Sequence, residues 1–214
     1  MLTLHGYYRS STSYRVRIAL NLKGLEWRHA GVDLLAGEDR SADYLAVNPQ
    51  GLLPTLELAD GRYLSQSMAI LEYLDEAHPE PSLLPAEPLA RARVRSLALQ
   101  IACDIHPLNN LRALKYLRSE FGQGDAAVNA WYRHWVAIEF EALERRLVAD
   151  PATGSCCHGD AVSQADVCLV PQVYNAERFA VDMAAYPTLA RIAAHCRALP
   201  AFTAAAPERQ PDAR

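Results

Sequence analysis

Residues 8–20 read YRSSTSYRVRIAL, and this stretch decides the fold. It follows a short apolar alternation, Leu2 and Leu4, and continues into a helical pattern that Gly24 ends. This order predicts a strand, a turn and the start of a helix. The hydroxyl groups fall on the first helical turn, where backbone N–H groups lack partners and the helix dipole favours an anion. The stretch therefore predicts an anion site, with simple helix capping by one serine as the alternative.

Three arginines favour the anion site over capping alone. Arg15 and Arg17 lie in or near the first helical turn, where positive charge opposes the helix dipole. Residues that conflict with a local rule are frequent at functional sites. Together with Arg9, just before the serines, they predict a positive basin suited to a carboxylate, a phosphate or a thiolate.

Composition limits the class of protein. The chain has 214 residues, of which 50% are hydrophobic and 21% charged, values typical of a globular protein with a substantial core. Its net charge of −4 lacks the excess of lysine and arginine that a nucleic-acid partner requires. No apolar run approaches the roughly 18 residues of a membrane span, and the first residues do not resemble a signal peptide. We therefore expect neither nucleic acid nor membrane as a partner.

The cysteines indicate free thiols. They are five in number and irregularly spaced: Cys103, Cys156, Cys157, Cys168 and Cys196. An odd, irregular set predicts neither a disulfide framework nor a metal site. A reducing cytoplasm is the expected setting.

The first part of the chain alternates strand and helix signals. Trp27 to Val32 predicts a strand, and a short helix is expected after Ser41. Asp60-Gly61 between two apolar runs predicts a hairpin, and a helix is expected from Ser67. The order β-α-β-α-β-β-α predicts a small mixed sheet with helices on both faces.

A proline-rich linker separates this part from a helical one. Residues 78–88 carry four prolines, a density that excludes helix interiors and central strands. Two apolar stripes beyond it are predicted to face the core. Their members are Val94, Leu97, Ile101, Ile105 and Leu108 in the first, and Val128, Trp131, Trp135 and Ile138 in the second, which Phe140, Leu143 and Leu147 continue on the neighbouring ridge.

Two places in the helical part break a local rule. Pro107 should bend a helix, and His106 and Asn110 share a face beside it. They predict a polar pocket, with a structural histidine as the alternative. Ser163 and Asp166 form a variant capping box, which indicates a folding device rather than a catalytic pair.

These features together resemble the cytosolic glutathione transferases, and residues 9–20 resemble the signature of their zeta class. The other motifs that carry the resemblance are Leu53-Pro54, Gln66-Ser67 and the cap of Ser163 and Asp166. The resemblance implies an α/β, thioredoxin-like N-terminal domain that binds glutathione, residues 1–82. An all-α C-terminal domain, residues 89–214, would bind the substrate.

The resemblance also implies the roles of individual residues. Ser10, Ser11 and Thr12 would lie at the glutathione sulfur as the catalytic group. Arg9 and Arg178 would face the carboxylates of the substrate. A cis Leu53-Pro54 bond would let Leu53 present both backbone polar groups to a ligand. The implied glutathione-binding residues are Ser10, Ser11, Thr12, Arg15, Gln50, Leu53, Pro54, Gln66, Ser67, His106 and Asn110.

The activity implied by the resemblance is that of a dimeric, glutathione-dependent cis–trans isomerase. It would convert maleylacetoacetate to fumarylacetoacetate in tyrosine and phenylalanine catabolism, by thiolate addition, bond rotation and elimination. Thr12 stands where the family motif usually has cysteine, and maleylpyruvate isomerases of the same class tend to carry threonine there. Maleylpyruvate therefore stays open as the substrate. A general glutathione transferase or peroxidase is a further alternative.

Overall fold

The structure, a computed structural model, describes residues 1–214. Its first part contains, in order, β1 (Leu2–Gly6), α1 (Ser11–Leu22), β2 (Trp27–Gly31), α2 (Ala42–Val47), β3 (Thr55–Glu57), β4 (Tyr63–Ser65) and α3 (Ser67–Ala77). A 3-10 turn, Glu38–Arg40, precedes α2. The predicted order of strands and helices is confirmed.

Beyond the linker the chain forms helices and turns, as predicted. The helices are α4 (Pro88–Leu99), α5 (His106–Asn109), α6 (Leu111–Ser119), α7 (Asp125–Ala149), α8 (Gln164–Arg178), α9 (Pro187–Arg197) and α10 (Pro200–Ala205). A π-helical turn, Gln100–Ile105, joins α4 to α5, and two 3-10 turns cover Met183–Ala185 and Pro207–Arg209. None of these helices combines the length and the hydropathy that crossing a membrane requires.

The sheet has the strand order β2-β1-β3-β4. β1 runs parallel to β2 and antiparallel to β3, so Leu4 lies opposite His29 on one side and Leu56 on the other. Leu4 and Leu56 are fully buried, which places the core of the first unit around β1. Since α1 follows β1 directly, the helix start lies at the carboxyl end of a central strand, where α/β folds usually bind ligands.

Gly6 lets α1 begin close to the sheet. A Cβ atom at this position would stand 3.1 Å from the Oγ atom of Ser13, a tight contact that would force Ser13 to move by a few tenths of an ångström. Ser13 itself is fully buried. One serine of the cluster therefore serves packing, because only a small side chain fits between α1 and β1.

The C-terminal residues do not join the helical part. The chain divides into two compact units, Met1–Ser82 with Ala198–Arg214, and Leu83–Arg197. α10 packs against α1, where Phe202 is fully buried. This division differs from the expected second domain, residues 89–214, at its C-terminal end. The physical reason is a tertiary one, since the amphipathic pattern of a short helix does not say which surface it covers.

The buried face of α7 differs from the predicted stripe in the first half of the helix and matches it in the second half, at Phe140, Leu143 and Leu147. The helix buries Val128, Tyr132, Val136 and Phe140, which recur every four residues. Ile138 is 44% exposed, so the prediction that it faces the core is wrong. The face is set by Tyr132, whose ring stacks on Phe179 with centroids 3.6 Å apart. Because a tyrosine has a polar hydroxyl, the sequence pattern favours Trp131 and Trp135 over Tyr132 as core residues.

Pro107 interrupts the helical pattern as predicted. The π-helical turn precedes it, and the short α5 ends at Asn110, whose ψ of 146° is extended. The side chain of Asn110 then caps α6 by accepting from the backbone N–H of Arg112 at 3.0 Å. The carbonyl of Leu108 accepts from Nε1 of Trp131 at 2.8 Å, which ties the interruption to α7.

The predicted capping box at the start of α8 is present. One carboxylate oxygen of Asp166 accepts from the backbone N–H and the hydroxyl of Ser163, at 2.8 and 2.7 Å. The other accepts from the backbone N–H of Cys157 at 2.7 Å. Because Asp166 is fully buried, these bonds satisfy its charge and fasten the preceding loop to the helix.

We expect Asp166→Ala to lower the free energy of unfolding by about 2–4 kcal/mol, because three buried donors lose their acceptor. Urea denaturation measures the change. Asp182→Ala is the matched control, since Asp182 is exposed and caps a 3-10 turn through one bond to Ala184. Equal losses in the two variants would contradict a special role for Asp166.

Candidate active site

The site begins at Ser10, which is the N-cap of α1. Its backbone is extended, with φ −67° and ψ 116°, and its Oγ atom accepts from the backbone N–H of Ser13 at 3.2 Å. The capping alternative is therefore correct as far as Ser10 is concerned. It does not exclude the anion site, because a hydroxyl that accepts one hydrogen bond still has a proton to donate.

A chain of hydrogen bonds orients that proton. The hydroxyls of Ser10 and Thr12 lie 2.9 Å apart, and Thr12 donates to the carbonyl of Leu53 at 3.0 Å. Since a hydroxyl has one proton, Ser10 is the donor in its bond with Thr12. The Leu53-Pro54 bond is cis, as expected. Ser10, Thr12 and Leu53 are thus brought together by α1 and the loop before β3.

Arg15 is a buried charge that lacks full compensation. Its side chain is 1% exposed, and one guanidinium nitrogen donates to the hydroxyl of Ser67 at 3.3 Å. The other terminal nitrogen and Nε are buried and have no hydrogen-bond partner in the chain. An unpaired buried charge is costly, so the arrangement fits an anion that would supply the missing acceptors.

The same anion would meet the N-terminus of α3. Ser67 is the first residue of this helix. The residue before it, Gln66, has a φ of 70°, a backbone angle that residues other than glycine rarely adopt. Strain of this kind costs about 1–3 kcal/mol and is concentrated at functional sites. The side-chain amide of Gln66 donates to Oε1 of Gln50 at 3.0 Å. Arg15 with Ser67, and Gln66 with Gln50, are therefore two contacting pairs of predicted residues.

Arg9 lies among aromatic rings. Its guanidinium is 5.1 Å from the centre of the Tyr8 ring, and it donates to the hydroxyl of Tyr7 at 3.3 Å. Burial raises the pKa of Tyr7, although Arg9 acts in the opposite direction. The phenol therefore stays protonated at neutral pH. Neither tyrosine was among the predicted site residues, although their position next to Arg9 in the sequence indicates that they could contact it.

In the second unit, His106 and Asn110 contact each other. Nε2 of His106 lies 3.2 Å from Nδ2 of Asn110, which confirms that the two residues share a face. Oδ1 of Asn110 is already used in capping α6. Both residues are half-buried, so their outer edges stay accessible to a ligand.

Arg178, the last residue of α8, is exposed. It donates to Oδ1 of Asn175 at 3.5 Å, and its guanidinium lies 5.9 Å from the centre of the Phe179 ring. Burial raises the pKa of the nearby Tyr132 to about 12, although Arg178 acts in the opposite direction. Asn175 was not among the predicted residues, although its position three residues before Arg178 places both on one helix face.

An apolar groove in the second unit contains none of the predicted site residues. It measures about 450 Å³ and lies along α6 and α7. Its lining residues are Leu117, Phe121, Gln123, Ala127, Val128 and Trp131. The groove offers no positive side chain, so it does not provide the anion site.

Three buried groups resemble metal ligands but have a structural role. The ligand atoms of Cys156, Asp166 and Cys196 lie within 4.8 Å of one another. Both oxygens of Asp166 already accept hydrogen bonds from the capping box and its loop. A hydrogen bond with Cys156, then burial and the nearby carboxylate, raise the pKa of Cys196, so its thiol stays protonated. The geometry therefore favours packing.

Comparisons with known proteins agree with this geometry. Residues 9–77 match the glutathione S-transferase N-terminal domain family. A probable maleylacetoacetate isomerase of Vibrio cholerae is 53% identical, covering 99% of this chain and 98% of the relative. The holo structure of a maleylpyruvate isomerase, a bacterial zeta-class glutathione S-transferase, has a TM-score of 0.97 at 46% identity and covers 99% of this chain and 100% of that one. Maleylacetoacetate isomerase of Methylobacterium extorquens AM1, solved with malonate and glutathione, has a TM-score of 0.96 at 44% identity, covering 99% of each chain.

The two buried arginines of α1 should respond oppositely to substitution. In the absence of added ligands, Arg15→Met is expected to leave the free energy of unfolding unchanged or to raise it, because it removes a poorly paired charge. Arg17→Met is expected to lower it by about 3–5 kcal/mol, because the backbone carbonyls of Tyr8 and Ala205 lose their donor and that of Tyr7 loses one of two. Urea denaturation measures both. Similar losses in the two variants would argue against a ligand at Arg15.

Proposed function

Because this chain belongs to the zeta class of the glutathione transferases, we propose that it is a glutathione-dependent cis–trans isomerase that converts maleylacetoacetate to fumarylacetoacetate. The observation that carries the proposal is the full-length similarity to isomerases of this class. Arg15 supports the glutathione part of the proposal independently, because its geometry does not depend on any relative.

The residues of the first unit fit the tripeptide. The γ-glutamyl carboxylate would accept from Arg15 and Ser67, and it would supply the acceptors that two nitrogens of Arg15 lack. It would also lie at the N-terminus of α3, whose dipole favours negative charge. Gln66 and Gln50 offer amide groups beside it, and the backbone of Leu53 would pair with the cysteinyl part.

When bound, glutathione supplies a thiolate that adds to the double bond of the cis substrate, allows rotation about the resulting single bond and leaves again unchanged. Ser10 is assigned the task of keeping that sulfur ionised. A free thiol has a pKa of about 8.5, and a helix N-terminus can lower it to about 7 or below. In the chain without ligand the Ser10 proton is directed to Thr12, whose own proton goes to Leu53, so on binding of glutathione the Ser10 hydroxyl would turn from Thr12 to the sulfur and donate there. Ser11 lies buried in the first turn of α1 beside them.

The arginines are assigned to the substrate. Maleylacetoacetate carries two carboxylates, and a guanidinium binds a carboxylate through two parallel donors. Arg9 donates to Tyr7 and lies over the ring of Tyr8, and Arg178 donates to Asn175, so each guanidinium has a contact within its own unit. His106 and Asn110 are proposed to contact glutathione from the helical unit.

Maleylpyruvate is the second candidate substrate. Thr12 favours it, since threonine at this place is typical of maleylpyruvate isomerases. Offering each cis substrate with trace glutathione, and following the loss of its absorbance, decides between the two. A general transferase would instead consume glutathione in a fixed ratio to product, so measuring the remaining free thiol after complete turnover tests that alternative.

We further propose a homodimer that works in the cytoplasm, with glutathione bound by residues 1–82 and substrate by the helical residues from 89 onward. The five free cysteines are compatible with a reducing compartment. Sedimentation of the purified protein measures its oligomeric state.

Ser10→Ala should raise the pKa of the bound glutathione thiol by about one unit or more, because the thiolate loses a hydrogen-bond donor. Titration of the ultraviolet absorbance of the thiolate measures it. Ser41→Ala is the matched control, since Ser41 caps α2 through the N–H of Tyr44 and lies outside the proposed site. An unchanged titration in Ser10→Ala would remove Ser10 from its role.

Arg178→Ala should lower kcat/KM for the cis substrate about ten- to hundredfold, the usual worth of a charge-assisted hydrogen bond, while glutathione binding stays near normal. Steady-state kinetics and calorimetry measure the two quantities. Arg191→Ala, which removes an exposed arginine of α9, is the control. Equal losses in substrate use and glutathione binding would count against the assignment.

A further inference from the structure

The last residues of the chain hold the loop that precedes Ser10. One carboxylate oxygen of Asp212 accepts from the backbone N–H of Tyr8 at 3.0 Å. The carbonyl of Tyr8 accepts from a terminal nitrogen of Arg17 at 2.9 Å. Both backbone polar groups of Tyr8 are therefore bound by side chains, and the orientation of its peptide groups is defined from both sides.

The carbonyl of Tyr7, which belongs to the same peptide group as the Tyr8 N–H, is bound as well. The carbonyl of Tyr7 accepts from the backbone N–H of Ser10 at 2.9 Å and from Arg17 at 3.4 Å. Arg17 also donates to the carbonyl of Ala205 at 2.9 Å, at the end of α10. The C-terminal segment, residues 198–214, is thus attached to the loop directly through Asp212 and indirectly through Arg17.

The second oxygen of Asp212 lies against β2. It is 2.9 Å from Nε2 of His29, whose side chain is 6% exposed. A Cβ atom at Gly31 would meet the Cβ of Asp212 at 3.5 Å, an ordinary contact. The C-terminal segment, residues 198–214, called the tail below, therefore packs on the end of this strand. His29 and the strand end therefore lie against the Asp212 carboxylate, whose hydrogen bond is the one from the Tyr8 N–H.

We propose that Asp212 is a positioning residue, which orients the Tyr8 peptide and through it the hydroxyl of Ser10 and the guanidinium of Arg9. The inference rests on the proposed function, since Ser10 and Arg9 are its assigned groups. The loop has no regular structure between β1 and α1, so hydrogen bonds at its peptides decide where the two side chains lie. A displacement of about 1 Å at reacting groups can cost two orders of magnitude in rate.

The test compares three variants of the full-length protein. Asp212→Ala removes the acceptor of the Tyr8 N–H, whereas Asp212→Asn keeps an oxygen there. Arg214→Ala is the control, because it removes a different bond of the tail, an exposed ion pair with Asp33 at 2.6 Å. The measurements are the pKa of the bound glutathione thiol, kcat, and the dissociation constant of glutathione.

We expect Asp212→Ala to raise the pKa of the bound thiol by at least ~0.5 unit and to lower kcat about tenfold. The dissociation constant of glutathione should change less than about twofold, because the contacts of its carboxylates are elsewhere. Asp212→Asn should restore most of both quantities, and Arg214→Ala should match the wild type. Thermal unfolding accompanies each variant, and Asp212→Ser replaces the alanine variant if that one does not fold.

Two results would overturn the proposal. In the first, Asp212→Ala has the thiol pKa and the kcat of the wild type. In the second, Arg214→Ala loses as much as Asp212→Ala, which would mean that the tail only adds stability. A wild-type protein that forms no bound thiolate is a distinct result, because it refutes the proposed function and the inference together.

Discussion

A buried guanidinium, that of Arg17, holds the end of the chain against the turn that carries Ser10. Its side chain is fully buried, and its donors bind carbonyls of Tyr7, Tyr8 and Ala205. The carbonyls of Tyr8, in the turn, and of Ala205, at a helix end, lie outside the regular backbone hydrogen bonds, so a forked donor between them satisfies both at once. The tail and the turn therefore depend on the same charge.

Arg15, two residues earlier on the same helix, is equally buried but differs in its partners. Ser67 accepts one of its hydrogen bonds, and two nitrogens have no acceptor within the chain. One helix thus contains a cation that completes the fold and another that fits a ligand. Because α1 packs against both α3 and α10, the first cation points to the tail and the second to the start of α3. The candidate site is a consequence of this packing as much as of the serines.

In the helical unit, local signals and packing contribute differently. The capping box of Ser163 and Asp166 was predictable, because its two bonds join residues three apart in the chain. The buried face of α7 was predictable in its second half only, because the first half depends on the stacking of Tyr132 against Phe179, the residue that follows α8. Amphipathic patterns identify a helix reliably, but a shift of one residue around its axis changes which side chains are buried.

The sequence by itself determined the order of strands and helices, the linker, the turn at Ser10, the contact between His106 and Asn110 and the candidate anion site. These features follow from caps, turn residues and periodicity, which act over a few residues. Only the tertiary structure decided that residues 198–214 return to the first unit, that Asp212 binds the Tyr8 peptide and that Arg15 lacks acceptors. Each of these joins residues far apart in the chain, and no local pattern records which distant group will meet a buried charge.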